Sequence, residues 1–132
     1  MSEENVEIVR RGFEAYVRRD WAGAMEHFAE DAEWHPYLGQ IGGGVKRGRA
    51  AIERMLRDID VDLELVVESE EFVDLGDEVL VPVRARGTGK ESGASVDARW
   101  CQVWSLRDGV VVKVAAYPDR KAALEATGND EG

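Results

Sequence analysis

One stretch decides the fold of this chain: SGASVDARWCQVWSLRDGVVVKVAAYPDRKAALEATG, residues 92–128. Its first part alternates large apolar side chains with small or polar ones, which is the period-two pattern of a half-buried strand. The segment Arg107-Asp108-Gly109 predicts a tight hairpin into a second apolar strand. Asp119 is placed to cap a final helix, which Gly128 ends. The stretch therefore predicts a strand, a turn, a second strand and a short helix.

The alternation in the first of these strands also predicts which side chains face the interior. The even positions carry the large aromatic residues and are expected on the core side: Val96, Ala98, Trp100, Gln102, Trp104 and Leu106. Folding the preceding strand back about residues 87–93 would place Arg84 opposite Asp97 and Pro82 opposite Arg99 on the far face, where opposite charges favour that register.

The hairpin after this strand has an expected register as well. A three-residue loop would pair Trp104 with Val112, Gln102 with Val114 and Trp100 with Ala116. The far face of the sheet would then carry an apolar patch made of Leu80, Pro82, Cys101, Val103, Ala115 and Tyr117. Because a patch of that kind is usually covered, we expect a homodimer formed through the outer face of the sheet.

Helices are predicted before the sheet. Apolar residues at helical spacing indicate a first helix from Ser2 to about Arg18, and a second, shorter helix that Asp20 caps. The run EDAEWHPY at residues 30–37 indicates a short strand, and a third helix begins at Arg49. The first third of the chain is therefore expected to be mostly helical.

Two further alternating segments, at residues 61–67 and 79–88, complete a set of four antiparallel strands. Antiparallel strands with helices gathered on one face form an α+β layer fold. We therefore expect one α+β domain over residues 1–128, with a flexible tail at 129–132. A curved, mostly antiparallel sheet would wrap around the N-terminal helices, and a short helix would end the domain.

Composition excludes several classes of partner. The chain has 132 residues, of which 17 are Lys or Arg and 27 are Asp or Glu, so its net charge is −10. A surface this acidic repels nucleic acid and anionic membranes. The single cysteine, Cys101, excludes an internal disulfide, and no apolar run approaches the ~20 residues of a membrane helix. We expect a cytoplasmic protein.

Cofactor and metal sites are not expected either. The glycine-rich segment GQIGGGVKRG at residues 39–48 lacks the Lys-Ser/Thr pair that a phosphate-binding loop needs after its last glycine. It is interpreted as a flexible lip beside a pocket. His27, His35 and Cys101 do not share the spacing of metal ligands.

The chain resembles the nuclear-transport-factor-2-like superfamily, within its SnoaL-like group of small cone-shaped α+β barrels. The resemblance spans essentially the whole chain and rests on FAEDAEWHP (28–36), RGRAAI (47–52), WSLRDGVVVKV (104–114) and YPDR (117–120). It implies a single SnoaL-like domain whose function lies in the hollow between sheet and helices. The superfamily contains isomerases, cyclases, epoxide hydrolases, dehydratases and proteins that only bind, so the resemblance implies a fold without implying an activity.

The resemblance also assigns positions for chemistry. Ketosteroid isomerases of this superfamily place an Asp base at the end of the first strand, and the matching residue here is His35. Their oxyanion-holding acid falls on Gln102, and their tyrosine acid falls near Gly12, which cannot donate a proton. The acid that epoxide hydrolases and polyketide cyclases carry on the last strand falls on Ala116. Neither complete set of catalytic groups is therefore present.

His35 is the candidate catalytic residue, because an imidazole accepts and donates protons at cellular pH. It could equally bond a ligand, or a backbone carbonyl at the end of the strand. Gln102 is the candidate polar group of the pocket, with a backbone or neighbouring partner as the alternative. The other candidate ligand-binding residues are apolar or phenolic, and ordinary core packing is the alternative for each: Tyr16, Trp34, Tyr37, Trp100, Trp104, Val114 and Ala116.

These observations lead to an expected function. The protein should bind an apolar, cyclic or carbonyl-bearing metabolite without a cofactor. If it is an enzyme, it should transfer protons as an isomerase or cyclase, with His35 as acid or base and Gln102 polarising an oxygen. Two alternatives stay open. One is a non-catalytic ligand-binding or dimeric accessory domain, its cone filled by its own side chains. The other is an epoxide hydrolase, which would need an inward acid on the final strand.

Overall fold

The computed structural model describes residues 2–36 and 44–128, with the side chains of residues 2 and 61–63 outside the description. Four helices and seven strands are found in these ranges: α1 (Ser2–Val17), α2 (Trp21–Met25), β1 (Phe28–His35), β2 (Lys46–Arg47), α3 (Arg49–Asp62), β3 (Leu63–Glu68), β4 (Val73–Asp74), β5 (Glu78–Gly89), β6 (Ser95–Arg107), β7 (Val110–Tyr117) and α4 (Arg120–Thr127). No helix in the described ranges is both long enough and apolar enough to cross a membrane.

The strands form one curved sheet in the order β2-β1-β7-β6-β5-β3, with β4 added beside β5. Neighbouring strands are antiparallel except β1 and β7, which are parallel. The α+β class, the curved sheet around N-terminal helices and the short C-terminal helix are confirmed. The cone is not a closed barrel, because the sheet stays open between its edge strands β2 and β3.

The pairing of β5 with β6 differs by two residues from the expected register. Arg84 lies opposite Arg99, and Arg86 lies opposite Asp97. The expected ion pair still forms, diagonally across the strands: Arg84 Nε and Nη2 donate to the Asp97 carboxylate at 3.2 and 3.0 Å. A shift of two residues leaves every side chain on its predicted face, so the inward set of β6 is as expected.

The pairing of β6 with β7 was also predicted wrongly by two residues: Trp104 pairs with Val114 and Gln102 with Ala116. Asp108 and Gly109 both have positive φ, at 52° and 78°, and form a two-residue turn rather than a three-residue loop. A bulge then follows, because the register shifts between Ser105 and Leu106 and leaves Val112 as an extra residue.

Two apolar clusters hold the sheet. The larger cluster lies between the concave face of the sheet and the helices α1, α2 and α3. The smaller lies on the outer face, where Ala123 and Leu124 of α4 pack with Leu80, Cys101 and Val103. The apolar patch that suggested a homodimer is therefore largely covered by the chain's own C-terminal helix. A homodimer stays a prediction, but it no longer follows from this patch.

Gly87 offers a test of this architecture. It lies between Leu65 of β3 and Val96 of β6, and a Cβ at this position would lie 1.8 Å from the backbone oxygen of Glu64. We expect Gly87→Ala to lower the free energy of unfolding by about 2–3 kcal/mol, because backbone would have to move. Urea unfolding measures the change.

The matched control is Gly44→Ala, where no atom of the described residues lies within 4 Å of an added Cβ. Its free energy of unfolding should stay within about 0.5 kcal/mol of wild type. Equal effects at the two glycines would contradict the close approach of β3 and β5.

Candidate functional site

A cavity of about 260 Å³ lies between the concave face of the sheet and the helices. The face of β6 supplies the largest share of its wall, and α1, α2, α3 and the end of β1 close the other sides. Among the described residues, six aromatic side chains line it: Phe13, Tyr16, Phe28, Trp34, Trp100 and Trp104. The rest of the cavity wall is mostly apolar, so the few polar groups in it determine which ligand atoms can form hydrogen bonds there.

Gln102 is the buried polar side chain of the described core, at 6% exposure. It lies on the inner face of β6 because residues on this strand alternate between faces. Its carboxamide oxygen accepts a hydrogen bond of 2.9 Å from Nε1 of Trp104, two residues along the same face. This bond orients the amide, whose NH2 group is a hydrogen-bond donor on the same face.

Trp100 supplies a second donor. Its indole Nε1 is buried and has no hydrogen-bond partner within the part of the chain that the structure describes. A buried donor without a partner costs about 1–3 kcal/mol. Trp100 lines the cavity beside Gln102, so an acceptor atom in the cavity would remove this cost. Trp100 and Gln102 thus give this wall hydrogen-bond donors.

Tyr16 brings a hydroxyl to the same wall from α1. Burial raises the pKa of this phenol above its ordinary value of 10.0, with Arg19 acting in the opposite direction and Asp60 in the same direction. The phenol is therefore protonated at neutral pH and can donate. Its ring packs at a tilt against Phe13 and Trp21, which fixes its position.

Among the described residues, the cavity wall contains no carboxylate, imidazole, amine, guanidinium or thiol. No three potential metal ligands cluster in the described ranges either. Within those ranges the wall can therefore bind and polarise a neutral molecule, but it supplies no group that removes a proton at neutral pH.

His35 lies elsewhere, contrary to the expectation that it reaches the hollow. Trp34 and Pro36 line the cavity and His35 does not. Its Nε2 bonds the carboxylate of Glu33 at 2.7 Å, and Arg47 bonds the other oxygen of that carboxylate at 2.9 Å. The hydrogen bond from His35 is the first cause that lowers the pKa of Glu33.

The physical reason is the alternation of β1. Glu33 and His35 share one face of the strand, and Trp34 between them faces the cavity. The imidazole is therefore directed to the opposite side from Gln102. This placement does not support the proton-transfer role that the resemblance implied for His35.

The other expected residues divide into three groups. The structure brings together in the cavity wall Tyr16, Trp34, Trp100, Gln102 and Trp104. Val114 and Ala116 are buried on the inner face of β7, but they are not part of the cavity wall. Tyr37 lies outside the described residues.

Sequence reasoning missed part of the wall. Several helix residues line the cavity, although their sequence pattern indicated only ordinary core packing or a helix interior: Gly12, Phe13, Met25 and Met55. The helical spacing of α1 did place Phe13 and Tyr16 on the inner face. What it could not show is that Gly12 leaves space there, because a glycine in a helix has no sequence signal of its own.

Comparison with known proteins agrees with this geometry. A family model described as a SnoaL-like domain matches residues 9–114. No curated protein is similar enough to the chain to count as a match. An NTF2-like protein from Burkholderia xenovorans LB400 is 32% identical, with a TM-score of 0.80 over 96% of this chain and 98% of that one.

Two more distant structures share the fold. TerC, co-crystallized with polyporic acid, is 23% identical with a TM-score of 0.76, covering 98% of this chain and 99% of that one. A hypothetical protein with a ketosteroid isomerase-like fold from Catenulispora acidiphila DSM 44928, in complex with trimethylamine, is 20% identical with a TM-score of 0.73, covering 92% of both chains.

The two tryptophans of β6 allow a paired test of this site. Trp104→Phe removes the donor to Gln102 and leaves a buried amide oxygen without its partner. We expect the free energy of unfolding to fall by about 2–4 kcal/mol, from the lost hydrogen bond and the smaller ring. Trp100→Phe removes a donor that already lacks a partner, so its effect should stay within about 1 kcal/mol.

Chemical denaturation of both variants without ligand measures the difference. An equal loss of stability in both would mean that the Trp100 indole has a partner in the folded protein. That result would remove the free donor from the site.

Proposed function

The chain belongs to the SnoaL-like domain family, and we propose that it binds a small, neutral, largely aromatic molecule through a carbonyl or similar acceptor oxygen. One observation carries the proposal: the indole N–H of Trp100 is buried without a partner among the described residues, and Trp100 lines an apolar cavity. The amide of Gln102 lies on the same face of β6, two residues away. Together they offer two donors to one side of a ligand.

The absence of charge in the described wall defines the ligand further. A carboxylate or an ammonium group would lose its hydration in this cavity without gaining a partner of opposite charge, which costs several kcal/mol. A neutral ligand avoids that cost. Its oxygen would accept from Trp100, and its remaining surface would contact aromatic rings.

The volume limits the size of the ligand. An engineered protein cavity of about 150 Å³ holds benzene, so the cavity of about 260 Å³ here fits roughly two fused rings. Three indoles and three further rings line it and offer stacked and edge-to-face contacts to a flat molecule. A bicyclic aromatic ketone meets the requirements of size, polarity and shape.

Catalysis is not part of this proposal. Two donors could polarise a carbonyl, as an oxyanion site does. An isomerase or cyclase would also need a base, and the described wall offers none. The epoxide hydrolase alternative has no support from the final strand, whose inward residues Val114 and Ala116 are apolar. A cone filled by its own side chains does not fit a cavity of about 260 Å³.

Binding of two matched compounds tests the proposal. 2-Acetylnaphthalene carries the carbonyl, and 2-isopropenylnaphthalene replaces its oxygen with a CH2 group of similar shape. Titration calorimetry or indole fluorescence should show the ketone binding about 2- to 10-fold more tightly, the value of one neutral hydrogen bond. Trp100→Phe should remove this preference and leave hydrocarbon binding nearly unchanged.

His35→Ala is the control variant, because His35 bonds Glu33 and does not line the cavity. Its affinity for both compounds should equal that of wild type. A ketone preference that survives Trp100→Phe would contradict the role of the indole N–H. Loss of binding in His35→Ala would mean that His35 takes part in ligand binding.

A further inference from the structure

We infer that Gly12 determines the size of ligand that the cavity accepts, because its missing side chain keeps open the region beside Trp104. The inference rests on the proposed function and adds a specificity-determining residue to it. Gly12 is buried in α1 and forms part of the cavity wall, opposite the face of β6 that carries the donors. Its position is therefore one where an added side chain meets the ligand.

A glycine inside a helix normally lowers stability relative to alanine, because it costs more backbone entropy on folding. Gly12 lies well inside α1, which spans Ser2–Val17, so no turn or helix end accounts for it. It is also not among the glycines with positive φ. The helix itself gives no reason for a glycine here.

Packing gives no reason either. A Cβ built at Gly12 would lie 3.5 Å from Cζ3 and 3.7 Å from Cη2 of Trp104, and 3.7 Å from the backbone oxygen of Ala24. These are ordinary van der Waals distances. Gly23 is different, because a Cβ there would lie 2.4 Å from Oδ2 of its capping residue Asp20. A methyl group at 23 would displace the capping carboxylate of Asp20, whereas one at 12 would meet only ordinary contacts.

The remaining explanation is the space itself. Gly12 faces the Cζ3–Cη2 edge of Trp104, whose Nε1 bonds the oxygen of Gln102, so this space belongs to the same cavity as the donors. A methyl group at residue 12 would narrow this space along the Trp104 ring, and a longer side chain would fill it. Either change would keep a larger ligand from placing its oxygen near Trp100 and Gln102, while a smaller ligand would still fit.

The variants Gly12→Ala and Gly12→Leu test this, with Gly23→Ala as the matched glycine control. Gly12→Ala should raise the melting temperature by roughly 2–4 °C, since it restores helix propensity without a clash. Its affinity for 2-acetylnaphthalene should fall about 10-fold, and its affinity for the one-ring ketone acetophenone should stay within about twofold. Gly12→Leu should lose the two-ring ketone entirely. Gly23→Ala should lower the melting temperature.

A lower melting temperature in Gly12→Ala would overturn the inference, and so would an unchanged affinity of that variant for the two-ring ketone. Xenon-pressurised crystals provide a readout without an organic ligand, since apolar cavities bind xenon. Xenon beside Trp104 in wild type but not in Gly12→Leu supports the inference, and the same xenon site in both overturns it. If wild type binds neither ketone, the proposed function fails, and the xenon result still decides the role of Gly12.

Discussion

The bulge in β7 is the constraint on which the rest of the site depends. The two-residue turn at Asp108 and Gly109 would, without a bulge, place Lys113 opposite Trp104 on the core side. The extra residue, Val112, restores the alternation, so that Val114 packs inward and Lys113 lies on the outer face near Glu33. A charged side chain is thereby kept out of the cavity, and β6 keeps its polar and aromatic groups facing the helices.

The hydrogen bond from Trp104 to Gln102 then gives the cavity its polarity. It orients the Gln102 amide and satisfies one lone pair of its oxygen, so that the amide NH2 and the Trp100 N–H are donors on that face. In an apolar, partly enclosed space such donors interact strongly with an acceptor, because no water competes for them once a ligand is bound. The hydrogen bond from Trp104 to Gln102 therefore favours a ligand that carries an acceptor atom.

The sequence predicted what depends on periodicity and missed what depends on distant pairing. The inward set of β6, including Trp100 and Gln102, followed from strict alternation, and a register error of two residues left it intact. His35 was misplaced because Trp34 faces the cavity and strand alternation then turns His35 to the opposite face; the parallel pairing that orients β1 joins strands about 80 residues apart. The bulge and the cover of the outer face by α4 are likewise tertiary features.

Two residues that line this cavity are not the most stable choice for the local structure in which they lie. The indole N–H of Trp100 is buried without a partner among the described residues, and Gly12 lies within a helix where a methyl group would fit. Each lowers the stability of the ligand-free protein, and neither is required by the turn, cap or strand in which it lies. Natural sequences are otherwise locally consistent, so departures that converge on one space indicate a function there. The two differ in kind, since one provides a donor and the other provides room, and the aromatic ketone proposed as ligand would use both.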